Sequence, residues 1–395
     1  MRLYLNALGI VNALGRGKQQ VAENLFAGSR AGMITRDDLI PGRSVRVGAV
    51  EGPLPCLPDH LAHLDCRNNR LMLAALEEIE PAVMAARRRY GNDRIGVVTG
   101  TSTSGIAEGE EALRLRLAEG AWPPSFRYSQ QELGNLAAFV AAYFDLSGPA
   151  YTLATACSSS GKAFASAQRL IDADICDAAL VGGADTLCRL TLNGFNSLEA
   201  VAADYCNPFS RNRDGINIGE GAAVFLLSRE SAAVALLGVG ETSDAYHVSA
   251  PDPAGAGALH AMRRALDAAG VPVTAVDYVN FHGTATPLND VMEGRVVAAL
   301  FGGDVPCSST KAMTGHMLGA ASAGEAGVLW LALDPEYSDG ALPPHLWDGA
   351  ADPDIPRLNL VPPATRIPVR EKCAMLSNSF AFGGSNVAVL VGRGW

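Results

Sequence analysis

One pattern runs through this chain twice. Short apolar strands alternate with alanine-rich helices in "RIGVVTGTS", "ELGNLAAFVAAYF", "PAYTLATA", "SGKAFASAQRLIDAD" and "DAALVGGAD". The alternation resumes in "DYVNFHGTAT", "VMEGRVVAALFG", "PCSST" and "GHMLGAASAGEAGVLWLAL". Strands and helices taken in turn indicate α/β layers, in which helices cover the strands on both faces. Each series also closes on a glycine turn, an apolar strand and a basic stop, "GEGAAVFLLSR" at 219–229 and "GGSNVAVLVGR" at 383–393. These endings point to an internal duplication with a boundary near residue 240, and no Pro/Ser-rich tract separates the halves.

Composition narrows what such layers could serve. The chain has 395 residues, 48% hydrophobic and 18% charged, the balance of a folded protein with a large core in one or two domains. A net charge of −10 argues against a nucleic-acid partner, which needs a basic face. The dense basic cluster, "ARRRYGNDR" at 86–94, reads as a solvated helix end. Eight cysteines, at 56, 66, 157, 176, 188, 206, 307 and 373, show no CxxC pair and no Cys/His ligand spacing. Neither a structural metal nor a disulfide framework is expected from them. The opening "MRLYLNALGIVNALG" reads as a first strand and turn, because asparagines interrupt it and no clear cleavage site follows. No apolar run reaches the roughly 18 residues of a membrane span, so a cytoplasmic protein is expected.

Four stretches carry polar or nucleophilic residues at strand ends. In "TACSSSGKAF" (155–164) Cys157 precedes a helix of small residues, and a helix beginning there would direct backbone N–H groups at its sulfur and favour the thiolate. In "NFHGTATPLND" (280–290) His282 follows a strand, with Thr284 and Thr286 beside it. "STKAMTGHMLGAAS" (309–322) places Lys311 and His316 before another small-residue helix, and "NSFAFGGSN" (378–386) sets Phe380 and Phe382 in a glycine turn. Taken singly, each has an ordinary structural explanation: a buried inert thiol, a loop histidine, a capping cation, a tight turn. "NPFSRNRDGINIGEGA" (207–222) looks structural.

Together and in this order, "TACSSS", "HGTATPLND", "TKAMTGHMLGAA" and "NSFAFGGSN" resemble the condensing enzymes of the thiolase superfamily, and most closely the β-ketoacyl-[acyl-carrier-protein] synthases of fatty acid and polyketide synthesis. The resemblance implies a five-layered αβαβα sandwich from two duplicated halves, residues 1–240 carrying the nucleophile and 241–395 carrying two histidines. It implies that Cys157, His282 and His316 are catalytic, with Lys311 and Glu325 ordering the site. The backbone N–H groups of Cys157 and Phe382 would form an oxyanion hole, Thr284 and Thr286 would hold phosphopantetheine, and Phe380 and Phe382 would gate the acyl pocket. No cofactor bound by the enzyme itself is implied; the substrates ride on the phosphopantetheine of an acyl carrier protein, and the protein would be a homodimer or a heterodimer with a ketosynthase-like paralogue.

Departures and finer likenesses add expectations. Ala381 stands where many relatives have glycine, which would stiffen the gating loop because alanine resists positive φ. The carrier-docking region, basic in bacterial fatty acid enzymes, reads "LPDHLAHLDCRNNRLML" here and keeps only Arg67 and Arg70, so a non-standard carrier or a shifted docking face is expected. "TGTSTSGI", "RNNRLMLAALE" and "TACSSS" resemble synthases of bacterial aryl polyene clusters. A degradative thiolase would use a second cysteine as base, a coenzyme A-dependent priming synthase would have asparagine at His316, and a non-catalytic chain-length partner would lack Cys157; the residues present disfavour all three.

Overall fold

The computed structural model describes residues 2–395. Ten principal strands carry the architecture. In the first half they are β1 (Leu3–Asn12), β2 (Ile95–Gly100), β3 (Ala150–Leu153), β4 (Ala178–Asp185) and β5 (Gly221–Ser228). In the second they are β6 (Ala235–Ser243), β7 (Tyr278–Asn280), β8 (Pro306–Ser308), β9 (Cys373–Ala381) and β10 (Ser385–Arg393). Their lateral order is β3-β2-β4-β5-β1 in one half and β8-β7-β9-β10-β6 in the other, so both halves follow the same path. The senses repeat as well: β2 runs parallel to β3 and β4, β7 parallel to β8 and β9, and β5 and β10 each lie antiparallel between two neighbours. The halves join where β1 and β6 pair antiparallel through Leu3↔Leu236 and Tyr4↔Ala235. Residue 240 lies inside β6, so the repeat begins a few residues before the boundary expected from the sequence endings.

Six helices complete the layers: α1 (Arg67–Tyr90), α2 (Asn135–Tyr143), α3 (Ser159–Asp172), α4 (Ala256–Ala269), α5 (Pro287–Phe301) and α6 (Ala321–Leu333). α3 and α6 lie between the two halves of the sheet, in a core shared by Phe164, Phe225, Trp330, Met375 and Val389. All thirteen residues of α6 are buried, as a sequence that is apolar or small everywhere except Glu325 requires, and Glu325 is paired with Lys311. α1 and α2 cover the outer face of the first half, α4 and α5 that of the second, each over its own apolar cluster. The result is the five-layered αβαβα sandwich of two duplicated halves. β4 is buried at all eight positions, so it shows no polar alternation. Outside these layers, a hairpin of Met33–Ile40 and Arg43–Gly48 packs near the second strand-to-helix crossover. No helix among the described residues is long and apolar enough to cross a membrane.

Candidate active site

Cys157 is presented by a sharp bend between β3 and α3. Ala156 takes a left-handed φ of 51°, which costs an L-residue about 1–2 kcal/mol, and α3 starts at Ser159, two residues later than a helix beginning at Cys157. The serines of "TACSSS" hold the bend. Ser158 Oγ donates to the Thr155 carbonyl at 2.8 Å, while Ser159 Oγ donates to the Ala156 carbonyl at 2.6 Å and accepts the Thr155 N–H at 2.9 Å. Ser160 Oγ accepts the N–H of Ala323 on α6 at 2.9 Å, tying the two central helices together. Close packing of α3 here requires glycine at 161, where a Cβ would lie 2.9 Å from Ser322 Oγ of α6 and 2.5 Å from Val387 of β10.

The two histidines are fixed through their backbones. After β7, the N–H groups of His282 and Gly283 donate to the two oxygens of Glu293 at 2.8 and 2.7 Å, and Glu293 is buried on α5. His316 is clamped by the segment 216–220: its N–H donates to the Asn217 carbonyl at 2.7 Å and its carbonyl accepts the Gly219 N–H at 2.9 Å. This stacking of backbone on backbone excludes side chains, since a Cβ on Gly48 or Gly219 would meet the Thr314 carbonyl at 2.0 or 2.3 Å. The stretch that looked structural in the sequence is therefore the support of His316.

These three loops converge. His316 Nε2 stands 2.9 Å from Cys157 Sγ, and the ligand atoms of Cys157, His282 and His316 all lie within 4.8 Å of one another. The imidazoles meet edge to face, centroids 5.2 Å apart, and Phe380 packs on His282 at 6.3 Å. Nδ1 of each imidazole is buried with no partner among the described residues, so neither ring is fixed from its Nδ1 side, and for His316 the contact with Sγ is what bears on the tautomer. Lys311 and Glu325, both buried, pair with each other behind the histidines.

Burial decides the protonation states. It pushes the Cys157 thiol up to about 12, against the pull of the Lys311 ammonium, so desolvation outweighs the lowering expected from a helix N-terminus. Burial first, then the Lys311 charge, holds both imidazoles well below their ordinary range. The resting pair is thus a neutral thiol facing a neutral imidazole, with the proton poised between Sγ and Nε2.

A cavity of about 370 Å³ opens over the three residues. Thr284 and Thr286, whose hydroxyls bond each other at 2.9 Å, line it towards solvent, and Phe380, Ala381 and Phe382 form one wall. Phe382 rests on Phe195 at 5.6 Å. Ala381 has φ −95° and ψ 153° at the end of β9, an extended conformation open to any residue. The positive φ values fall on Gly383 and Gly384 at 80° and 76°, so Ala381 does not impose the restriction expected of it.

A family description, beta-ketoacyl synthase N-terminal domain, matches residues 58–233, and its C-terminal counterpart matches 233–346. This chain belongs to the β-ketoacyl synthase family. Nodulation protein E of Rhizobium meliloti is 33% identical over 87% of both chains. The 3-oxoacyl-[acyl-carrier-protein] synthase 2 of Synechocystis is 30% identical over 98% of this chain and 97% of its own. Among solved structures, the ketosynthase ApeO in complex with its chain length factor ApeC, from Xenorhabdus doucetiae, superposes with a TM-score of 0.94. It is 45% identical over 99% of this chain and 98% of that one. The ishigamide ketosynthase/chain length factor superposes with a TM-score of 0.87 at 28% identity over 99% of both chains. The chain is a condensing enzyme of fatty acid or polyketide synthesis, an acyltransferase with a cysteine–histidine–histidine site.

Four supporting residues escaped the sequence reading: Asp185, Glu293, Asn217 and Glu220. Asp185 Oδ1 accepts the Thr101 and Thr103 hydroxyls and the Ser102 and Thr103 N–H groups at 2.7–2.8 Å, and its Oδ2 accepts the Ala320 N–H at 3.0 Å. Glu220, buried, accepts both Arg67 Nη2 and Nε, at 2.6 and 2.8 Å, and the Val50 N–H at 3.0 Å. The other cation of that region, Arg70, forks onto Asp65. Both arginines expected to face a carrier are therefore engaged inside the molecule.

Proposed function

We propose that this chain is the condensing subunit of an aryl polyene-type ketosynthase, carrying the growing acyl group on Cys157 and extending it by decarboxylative condensation with a malonyl carrier. The observation that carries the reading is the 2.9 Å contact of His316 Nε2 with Cys157 Sγ, in one cavity with His282. As an acyl carrier thioester approaches, Sγ attacks its carbonyl carbon and gives its proton to Nε2; the carrier thiolate leaves and takes that proton. The N–H groups of Cys157 and Phe382 are the donors for the tetrahedral oxyanion. Malonyl carrier then loses carbon dioxide, and the electron pair of the broken bond forms an enolate. Once Sγ is acylated, the neutral His316 ring shifts its proton from Nδ1 to Nε2 by exchange with water; Nε2–H of His282 and of His316 then donates to the enolate oxygen while its carbon attacks the acyl-enzyme and expels the Cys157 thiolate, which takes up one proton from water to restore the thiol. Lys311 and Glu325 order the two imidazoles, Thr284 and Thr286 hold the phosphopantetheine, and Phe380 and Phe382 gate the acyl pocket. The two halves, the second beginning with β6, divide the work between nucleophile and enolate donors.

A heterodimer with a chain-length-factor-like paralogue is part of this reading. Both solved neighbours described above contain such a partner. β3 pairs through one edge only, to β2, and leaves its other edge for a second chain. The segment 106–133 exposes Leu113, Leu117, Trp122, Tyr128 and Leu133, an apolar set that fits a permanent interface. Intact-protein mass spectrometry after incubation with cinnamoyl-like and saturated acyl carriers tests the proposal. We expect an acyl mass retained by the native protein and absent from Cys157→Ser. Retention of saturated primers alone would remove the aryl polyene assignment, and an equal mass on Cys157→Ser would remove the nucleophile.

A further inference from the structure

The carrier that delivers the acyl group must pass its arm through the cavity ending on Cys157, so it must sit on that cavity's rim. The outer rim is formed by Pro287 and Leu288 at the start of α5 and by Ser249–Pro251 of the facing loop. A second groove, of about 430 Å³, shares Ala250, Pro251, Pro287 and Leu288 with it and continues along Tyr246, Val291 and Arg295. Around this opening Tyr246, Val248 and Leu288 are 57%, 75% and 61% exposed, which is unusual for large apolar side chains without a partner.

The charges here do not favour an acidic partner. Arg67 is spent on Glu220 and Arg70 on Asp65. Arg213 is buried against Asp352, and Asp354 and Glu199 lie on the same two grooves. Arg295 is the one cation of the groove without a carboxylate partner among the described residues, its Nε turned to the Asp354 carbonyl. Arginines already neutralised by carboxylates cannot steer an acidic protein, and the net charge of −10 repels one.

Building on the function proposed above, we infer that the acyl carrier protein docks by apolar contact on Tyr246, Val248 and Leu288, with Arg295 as its only charged anchor, and not on the arginines of α1. The rim also reaches the gate: the Gly383 N–H donates to the Val248 carbonyl at 2.8 Å, and the Asp244 N–H donates to the Gly384 carbonyl at 2.8 Å. A partner seated on Val248 is therefore one hydrogen bond from the loop that holds Phe382.

The test is the KM for acyl carrier and for the same acyl group on N-acetylcysteamine, in the native enzyme and in Tyr246→Asp and Val248→Asp. The two substitutions are expected to raise the carrier KM by about tenfold or more and to leave the small-thioester KM unchanged. The native carrier KM is expected to change less than about twofold between low and high salt. An unchanged carrier KM in both variants, or a steep salt dependence, overturns the docking surface while leaving the catalytic reading intact. A native enzyme acylated by neither thioester overturns both.

Discussion

The two halves of the molecule share one strand path and fill it with different chemistry. In the first, the crossover from the third strand to the central helix carries Cys157; in the second, the same crossover, from β8 to α6, carries His316. They are 159 residues apart in sequence and touch at 2.9 Å because the duplicated folds bring equivalent crossovers face to face. The loops after the second strands are also equivalents. Thr101–Ser104 in one half and His282–Thr284 in the other are each gripped by a buried carboxylate that accepts two consecutive backbone N–H groups, Asp185 and Glu293 respectively. Asp185 takes the threonine hydroxyls of its loop as well, so that loop is closed and structural. Glu293 takes only backbone from His282, and the imidazole stays free to face the cavity. Duplication supplies the frame, and what each loop leaves unpaired decides which half is reactive.

The largest break in this comparison comes from the histidines. Because His316 alone contacts Sγ, His316→Ala is expected to lower both acylation of Cys157 and condensation by on the order of 10³-fold. His282→Ala is expected to lower condensation by about a hundredfold while leaving acyl transfer within about threefold, since it lacks the contact with sulfur. Separate single-turnover assays of the two half-reactions check this; equal losses in both variants would mean that the two crossovers do not differ in role. Next in size are the two carboxylates. Asp185→Ala orphans five donors, four of them buried, and is expected to lower unfolding free energy by about 3 kcal/mol or more in urea titration. Glu293→Gln keeps one backbone bond, and is expected to cost about 1 kcal/mol while slowing condensation through a displaced His282.

How much of this could be read from the sequence follows from the same contrast. The strand and helix alternation and the duplicated endings were legible in the local pattern, whereas Cys157, His282 and His316, each ordinary when taken singly, became legible only because four motifs in one order resemble a family. Asp185 and Glu293 were not, since a buried carboxylate in "GGADTLC" or "VMEGRVV" looks like a surface one until the donors that surround it, up to 135 residues away, are known. Glu220 was hidden likewise, and with it the internal engagement of Arg67. The state of the thiol was misjudged for a related reason: a helix N-terminus is visible in sequence, whereas complete burial of the sulfur is a property of the assembled halves.

Acid should act on the second half through its histidines. The three buried imidazoles, His282, His316 and His345, all belong to the second half, and burial lowers each, His345 to about 4. An unfolded histidine takes up its proton near pH 6.5 and these folded ones refuse it, so their contribution to stability is full above that pH and is lost as pH falls towards 4, while buried Glu293, pushed up to about 8, contributes in the opposite sense. His345 alone accounts for about 3 kcal/mol over that window. Urea titrations of the native chain and of His345→Gln at pH 7 and pH 5 isolate this histidine: the native chain is expected to lose more stability on acidification than the variant, and equal losses would refute the assignment.

The smallest expected effect concerns the gate. The family resemblance leads to the expectation of a hinge at Ala381, yet Ala381 is paired with Ser385 across the β9–β10 hairpin in ordinary extended geometry. Ala381→Gly therefore adds freedom where no positive φ is used. It is expected to change kcat and KM by less than about twofold and to cost about 0.5–1 kcal/mol of stability. Gly384→Ala sharpens the point, because it forces a side chain onto a φ of 76° with its Cβ 3.0 Å from that of Asp244. That change is expected to slow acyl loading more than Ala381→Gly does, and the reverse ranking would place the hinge of the gate at residue 381 after all.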